Sequence, residues 1–294
     1  MTQQEMFGGR WTQRKLELLK KYLSAYRKIF ERNAKARFFE TNYVDAFAGT
    51  GEIPRRKLQG LFEDDLDLLR AEEEFRKGSV TRALEVDPPF NHYVFIEKDS
   101  KKCGELRELA KDFPGRDITV VNDDANTALL KWCRELDATH QRAVVFLDPF
   151  GASVEWKVIE AIADTKAVDL WILFPYSAIN RMLVNEGMPR ESWAKRLTRI
   201  FGTEEWKRKF YSTTSWKSLI ETEPVKRVYR TADQEEITKF FVERLREKFV
   251  AVASPGFLFN SKGALLFVLL FAAGNEKGAD AGLRIANNLL RDLN

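Results

Sequence analysis

The chain is predicted to be α/β, a mostly parallel sheet of seven strands flanked by helices, and three observations carry that prediction. Short apolar runs (Tyr43–Phe47, His92–Ile96, Ile118–Val121, Ala143–Leu147, Val168–Phe174) alternate with stretches whose apolar residues recur every three or four positions. Ala143–Leu147 is apolar throughout, as a strand covered on both faces should be. The first run ends in an acid and a small-residue turn with two glycines, Asp45-Ala46-Phe47-Ala48-Gly49-Thr50-Gly51. Glycine lacks a Cβ, so such a turn lets a ligand approach the backbone amides after the first strand of a nucleotide-type domain.

The elements follow in order within one domain spanning residues 1–294. The segment 11–40 is predicted to hold an amphipathic helix from Trp11 to about Arg37. Leu16, Leu19, Leu23, Tyr26 and Phe30 line one face, and Thr12 is the expected N-cap. An insertion at 52–90 separates the first strand from the second; it holds the basic turn Arg55-Arg56-Lys57, the acidic stretch Glu63–Glu74 and a short helix after Gly78-Ser79-Val80. Asp87-Pro88-Pro89-Phe90 reads as a turn, because two prolines cannot donate ladder hydrogen bonds. The second strand ends in Glu97, the third in Asn122-Asp123-Asp124 and the fourth in Asp148-Pro149-Phe150-Gly151, with helices at Lys101–Phe113, Asn126–Leu136 and around Trp156. Residues 176–230 are predicted to form a basic helical insertion containing Trp193, Trp206 and Trp216. Thr231 and Gln234 have capping-box spacing for a helix through Phe249. Val250–Phe259 and Ala264–Ala273 are a closing pair of strands, with a last helix after Gly278.

Composition narrows the function classes. Hydrophobic residues at 44% and charged residues at 31% are ordinary for a soluble protein, and no apolar run reaches the roughly 20 residues of a membrane span. The polar Met1–Arg10 has no signal-peptide core, so a cytoplasmic location is expected. Two cysteines and two histidines without ligand spacing argue against a metal site and against a Ser-His-Asp hydrolase. Residues 1–40 carry ten Lys/Arg against four Asp/Glu, and 181–230 carry twelve against six, whereas 41–180 carry 18 against 26. The two basic segments are candidate surfaces for DNA or RNA.

Three glycine-loop chemistries compete for Asp45–Gly51. No P-loop string G-x-x-x-x-G-K-[ST] occurs, and Pro54 stands where a dinucleotide fold wants its third glycine. The remaining pattern, Asp-x-Phe-x-Gly-x-Gly, resembles motif I of the Rossmann-like methyltransferases. That resemblance implies S-adenosylmethionine as cofactor, with Asp45, Phe47, Ala48, Gly49 and Gly51 wrapping its amino-acid end. It also implies Glu97 on the ribose hydroxyls and Asp123 or Asp124 on the adenine amino group. The spacing of 52 positions from Asp45 to Glu97 exceeds the roughly 20 of a simple βαβ unit, which the insertion must absorb.

Amino-directed methyltransferases carry [Asn/Asp]-Pro-Pro-aromatic at the end of the fourth strand. Asp87-Pro88-Pro89-Phe90 matches the spelling, but Asp148-Pro149-Phe150-Gly151 has the right place without the second proline. By that resemblance Asp148 and the Pro149 carbonyl accept hydrogens from a target amino group, Phe150 stacks on a planar base or simply walls the pocket, and Gly151 completes the motif.

Further strings resemble the three-Cys-motif partner family of methyltransferase-like proteins: Trp11-Thr12 with Lys15-Leu16, Tyr43–Gly49, Gly78-Ser79-Val80, Phe95-Ile96-Glu97, Phe146–Gly151 with Trp156, and Asp169–Pro175. The likeness covers about residues 11–181, with Val80 where a proline is common. It implies a methyltransferase fold and a protein partner, a radical-type enzyme whose own cysteines give the family its name. Two readings follow: a methyltransferase acting on an amino group of a nucleic-acid base, or a catalytically weak binding module of the same fold. An NAD-linked oxidoreductase is a distant third.

Overall fold

The structure, a computed structural model, describes residues 9–48, 78–149, 153–216, 225–260 and 262–293. The amino-terminal helix α1 spans Gly9–Arg32 and leads into β1 (Glu40–Asp45). A short helix at 78–84 precedes β2 (His92–Glu97), α2 (Ser100–Lys111), β3 (Asp117–Asn122), α3 (Ala125–Glu135), β4 (Gln141–Leu147), α4 (Trp156–Asp164) and β5 (Val168–Phe174). Three short helices follow, α5 (Tyr176–Met182), α6 (Glu191–Phe201) and α7 (Glu205–Phe210), then a separate hairpin of β6 (Tyr211–Trp216) and β7 (Val225–Arg230). The chain closes with α8 (Gln234–Arg246), β8 (Ala251–Val252), β9 (Gly256–Phe259), β10 (Leu265–Ala273) and α9 (Ala279–Leu290).

The main sheet runs β3-β2-β1-β4-β5-β10-β8, with β9 also on β10. Strands β1 to β5 are parallel, and β10 is antiparallel to β5. This is the strand order of the Rossmann-like methyltransferase fold. Eight strands stand where seven were expected, because the predicted strand Val250–Phe259 divides into β8 and β9 around Ser254-Pro255. Proline has no N–H to give to a ladder, so pairing lapses there. The order reverses between β1 and β4: β1 continues outward to β2 and β3, and the chain then crosses back to β4. A crevice opens at the carboxyl ends of strands on either side of such a switch point.

Alternating side chains of the central strands feed two cores. Val44, Ala46, Val145, Leu147 and Ile172 face α3, α4 and α8, with α6 and α7 beyond them. Tyr43, Phe95, Phe146, Trp171 and Leu173 face α1, the 78–84 helix and α9. Tyr22 joins α1 to the sheet through an edge contact with Trp171, ring centroids 5.0 Å apart.

Three local expectations change. The helix already includes Gly9, so Thr12 lies inside it rather than at its cap. The capping box sits two residues later than predicted: Asp233 accepts from the Glu236 amide and the Glu236 carboxylate accepts from the Asp233 amide. The Thr231 amide instead donates to the Phe210 carbonyl. Residues 211–216 and 225–230 form an antiparallel strand pair where short helices were expected, since Tyr211, Thr213, Thr214, Val225, Val228 and Tyr229 favour strand over helix. The acidic stretch Glu63–Glu74 and the turn Arg55–Lys57 lie outside the described residues. Among the described residues, no helix is long and apolar enough to cross a membrane.

Candidate active site

Each acid expected from the sequence stands at the carboxyl end of a strand. Asp45 closes β1, Glu97 closes β2, Asp123 follows β3, and Asp148 follows β4. Register makes them neighbours, because Asp45 pairs with Phe95 on one side and with Phe146 on the other, while Glu97 pairs with Asn122. Asp45 and Asp148 therefore flank the switch point.

The start of the turn after β1 is held from both sides. The Ala46 amide donates to the Phe146 carbonyl of β4, and the Ala48 amide donates to the Ile96 carbonyl of β2. Asp45 is buried, 1% exposed. Its Oδ1 accepts from the Phe47 amide at 3.1 Å, and its Oδ2 accepts from the Ser79 hydroxyl at 3.0 Å. The carboxylate thus folds back on its own turn, an Asx-type arrangement that fixes the direction in which the loop leaves the strand. Burial raises the pKa of the neighbouring Tyr43 phenol well above its ordinary value, and the Asp45 charge adds to the rise. Phe47 is half-buried against the α3–α4 core, and Ala48 is fully buried on the opposite face. Gly49 and Gly51 lie outside the described residues.

Glu97 is half-buried, and one carboxylate oxygen accepts from the Asp99 amide at 2.8 Å. Among the described residues the other oxygen has no partner, which suits a hydroxyl pair presented from the crevice. Asp123 and Asp124 divide. Asp124 is the N-cap of α3, accepting from the Asn126 amide at 3.0 Å, with Lys98 at 3.7 Å. Asp123 is exposed, and one oxygen accepts from the Asp124 amide at 2.7 Å. Helices α2 and α3 both start at this edge, so their partly positive N-terminal amides face the same space as the acids.

Asp148 is 1% exposed. Pro149 after it lies in an apolar nest of Val154, Ile159, Phe174, Pro175, Ile200 and Phe241. Ile200 belongs to α6, so that helix of the basic insertion lines the same small pocket as Pro149. Gly202 ends that helix with φ +69°, and the Trp156 indole fills the space a Cβ would take. Phe150 and Gly151 lie outside the described residues.

No protein-family model and no curated protein matches the chain. Among solved structures, the chain resembles protein LPL1258 from Legionella pneumophila at 11% identity and TM-score 0.37, over 79% of this chain and 92% of that one. It also resembles the CurJ carbon methyltransferase at 12% identity and TM-score 0.37, over 85% and 52%. An rRNA methylase from Streptococcus thermophilus matches at 8% identity and TM-score 0.30, over 72% and 94%. These overlaps are loose, and the fold rests on the chain's own strand order.

Two residues of the site were not singled out from sequence. Ser79 holds Asp45, and its only advance signal was its place in the string Gly78-Ser79-Val80. Asn126 clamps the segment after the motif, accepting from the Glu155 amide at 2.9 Å and donating to the Ser153 carbonyl at 3.1 Å. Nothing in its sequence context marked it. The segment Asp87–Phe90 forms no strand and lies away from this edge, with Phe90 buried beside Tyr43.

Proposed function

We propose that the protein is an S-adenosylmethionine-dependent methyltransferase acting on an amino group of a nucleic-acid base. The observation that carries this reading is the alignment of Asp45, Glu97, Asp123 and Asp148 at the carboxyl ends of four adjacent strands around the switch point. When bound, the cofactor supplies an electrophilic methyl group on a positively charged sulfur. Asp45 sets the loop, through Phe47 and Ser79, and contributes a negative charge near the cofactor's ammonium. Glu97 uses its open oxygen to receive the ribose hydroxyls. Asp123 takes the adenine amino group, because Asp124 is engaged in capping α3.

Asp148 and the Pro149 carbonyl would accept hydrogens from the substrate amino group and so aim its lone pair at the donated methyl group. Asp148 would take up the proton that the nitrogen gives up on methylation. Positioning supplies most of the rate, because the leaving group is already activated. The basic module, whose Ile200 lines the same pocket as Pro149, holds a polyanion beside the crevice, with Phe150 stacking on the base.

A second reading is supported by the burial of Asp148 and by the missing second proline of its motif: a methyltransferase-fold subunit that binds a protein partner and transfers no methyl group. Two measurements separate the readings. Calorimetric titration with S-adenosylmethionine should give saturable heat, and radiolabelled methyl transfer to DNA or RNA should be lost in Asp148→Ala with cofactor binding retained. No heat with the wild type removes the first reading. Heat without transfer to any nucleic acid favours the second.

A further inference from the structure

The amino edge of the sheet carries a cleft of about 440 Å³ that shares no residue with the crevice described above. Its size falls within the range of small-ligand sites. Arg27, Phe30 and Glu31 come from the last turns of α1, Arg37 and Phe39 from the link to β1, and Asn91 from the turn before β2. Both arginines are held by their inner nitrogens. Arg27 Nε donates to the Pro89 carbonyl at 2.5 Å, and Arg37 Nε donates to the Glu31 carbonyl at 2.7 Å. Among the described residues neither guanidinium has another hydrogen-bond or ion-pair partner, so the terminal nitrogens of both are left for a ligand. A guanidinium anchored at Nε has less freedom to lose when it forms a paired contact with a phosphate.

An independent observation comes from Phe38, which sits in the chain between the lining residues Arg37 and Phe39. Phe38 is 62% exposed, the most exposed large apolar side chain among the described residues. Its ring lies 4.0 Å from that of Phe39, which is backed by the Arg142 guanidinium at 3.7 Å and by the edge of Phe30. A flat ring held in place and open to water beside two arginines is a stacking platform next to an anion site. The Glu31 carboxylate is the one group in the cleft that opposes an anion.

We propose that this cleft binds one nucleotide of a single-stranded nucleic acid, with a phosphate between Arg27 and Arg37 and a base against Phe38. A duplex does not fit the arrangement, because its bases are already stacked on one another. The six residues of β1 put the cleft roughly 20 Å from the crevice, so one strand can engage both. The inference rests on the nucleic-acid arm of the proposed function and does not depend on the cofactor.

The test is fluorescence-anisotropy titration with short single-stranded DNA and RNA oligonucleotides, with S-adenosylmethionine calorimetry and thermal melts on the same samples. Arg37→Glu should weaken oligonucleotide binding by at least about tenfold, and Phe38→Ala by about tenfold. Glu31→Gln should bind at least as tightly as the wild type. In Arg37→Ala the slope of log affinity against log salt should fall by about one. Cofactor affinity should be unchanged throughout. Wild-type-like oligonucleotide binding in both Arg37→Glu and Phe38→Ala overturns the proposal, as does a wild type that binds the cofactor but no oligonucleotide. Oligonucleotide binding that needs Arg37 and Phe38 in a protein giving no cofactor heat leaves this cleft standing and removes the methyl-donor reading.

Discussion

At the carboxyl ends of β1 to β4 the chain places Asp45, Glu97, Asp123 and Asp148, whereas at the amino edge Arg27, Arg37 and Arg142 cluster with Phe30, Phe38 and Phe39. The difference follows the direction of the backbone. Strands β2 to β5 each hand over to a helix whose N-terminus opens on the carboxyl edge, and a helix C-terminus returns the chain to the amino edge. Carboxylates are stabilised near the first kind of end and cations near the second. Asp99 and Asp124 cap α2 and α3 at the carboxyl edge. Three acids near the other edge are each set against a histidine: Asp117 and Glu40 lie 2.6 and 3.5 Å from His92, and Asp137 lies 2.7 Å from His140. One sheet thus offers two ligand environments of opposite sign.

The sharpest way to break this contrast is Asp45→Ala. If the carboxyl edge is organised by that buried acid, cofactor binding falls by about a thousandfold, roughly 4 kcal/mol. Calorimetry checks it, and a loss under tenfold would reassign Asp45 to packing alone. Next is Gly202→Ala, which forces a left-handed backbone and drives a methyl group into Trp156 where the basic module meets α4. It should cost about 3 kcal/mol in chemical denaturation.

Asp169, at the start of β5 near the amino edge, tests the contrast through pH. The residue retains some surface, but its carboxylate lies against the Tyr22 hydroxyl at 2.9 Å. Burial raises its pKa from 3.8 to about 7, and the Tyr22 and Gly274 hydrogen bonds pull only partly the other way. Below pH 3.8 the group is protonated in both folded and unfolded chains, so its contribution to stability is fully present. Between 3.8 and 7 the unfolded chain releases a proton that the folded chain keeps, so stability from this group falls as pH rises. The loss is at most about 1.4 kcal/mol per pH unit and levels off above the folded value. Melting temperatures of Asp169→Asn should lack this slope; a wild-type slope in the variant would exclude Asp169 as its source.

The smallest effect separates two adjacent acids. Asp124→Ala removes an N-cap and should cost about 1 kcal/mol of stability with little change in cofactor affinity. Asp123→Ala should do the reverse, and equal effects on both measurements would merge their roles.

The central strands were legible because they are short, apolar and bounded by turn chemistry. Val168–Phe174 agrees residue for residue, and Glu97, Asp123 and Asp148 could be placed because strand ends are marked by the change from apolar to acidic. Outside the sheet, spacing misled. Thr231 and Gln234 have the same interval as Asp233 and Glu236, and only the hydrogen bond from Thr231 to Phe210 decides between them. The strand pair of 211–216 and 225–230 was hidden because Trp216, Lys226, Arg227 and Arg230 are residue types that suit a helix surface equally well. Ser79 and Asn126 were not visible as site residues, because a contact across 34 or 29 positions leaves no trace in local pattern.

The short helix at 78–84 touches two things at once. The Ser79 hydroxyl holds Asp45, and Gly78 beside it lies against Leu16 of α1 so closely that a Cβ would collide with that side chain. The amino-terminal helix and the first acid of the crevice are therefore joined through two consecutive residues. Docking of α1 and setting of the loop are thereby coupled, so a chain truncated past Leu16 loses the contact that seats Ser79 against Asp45.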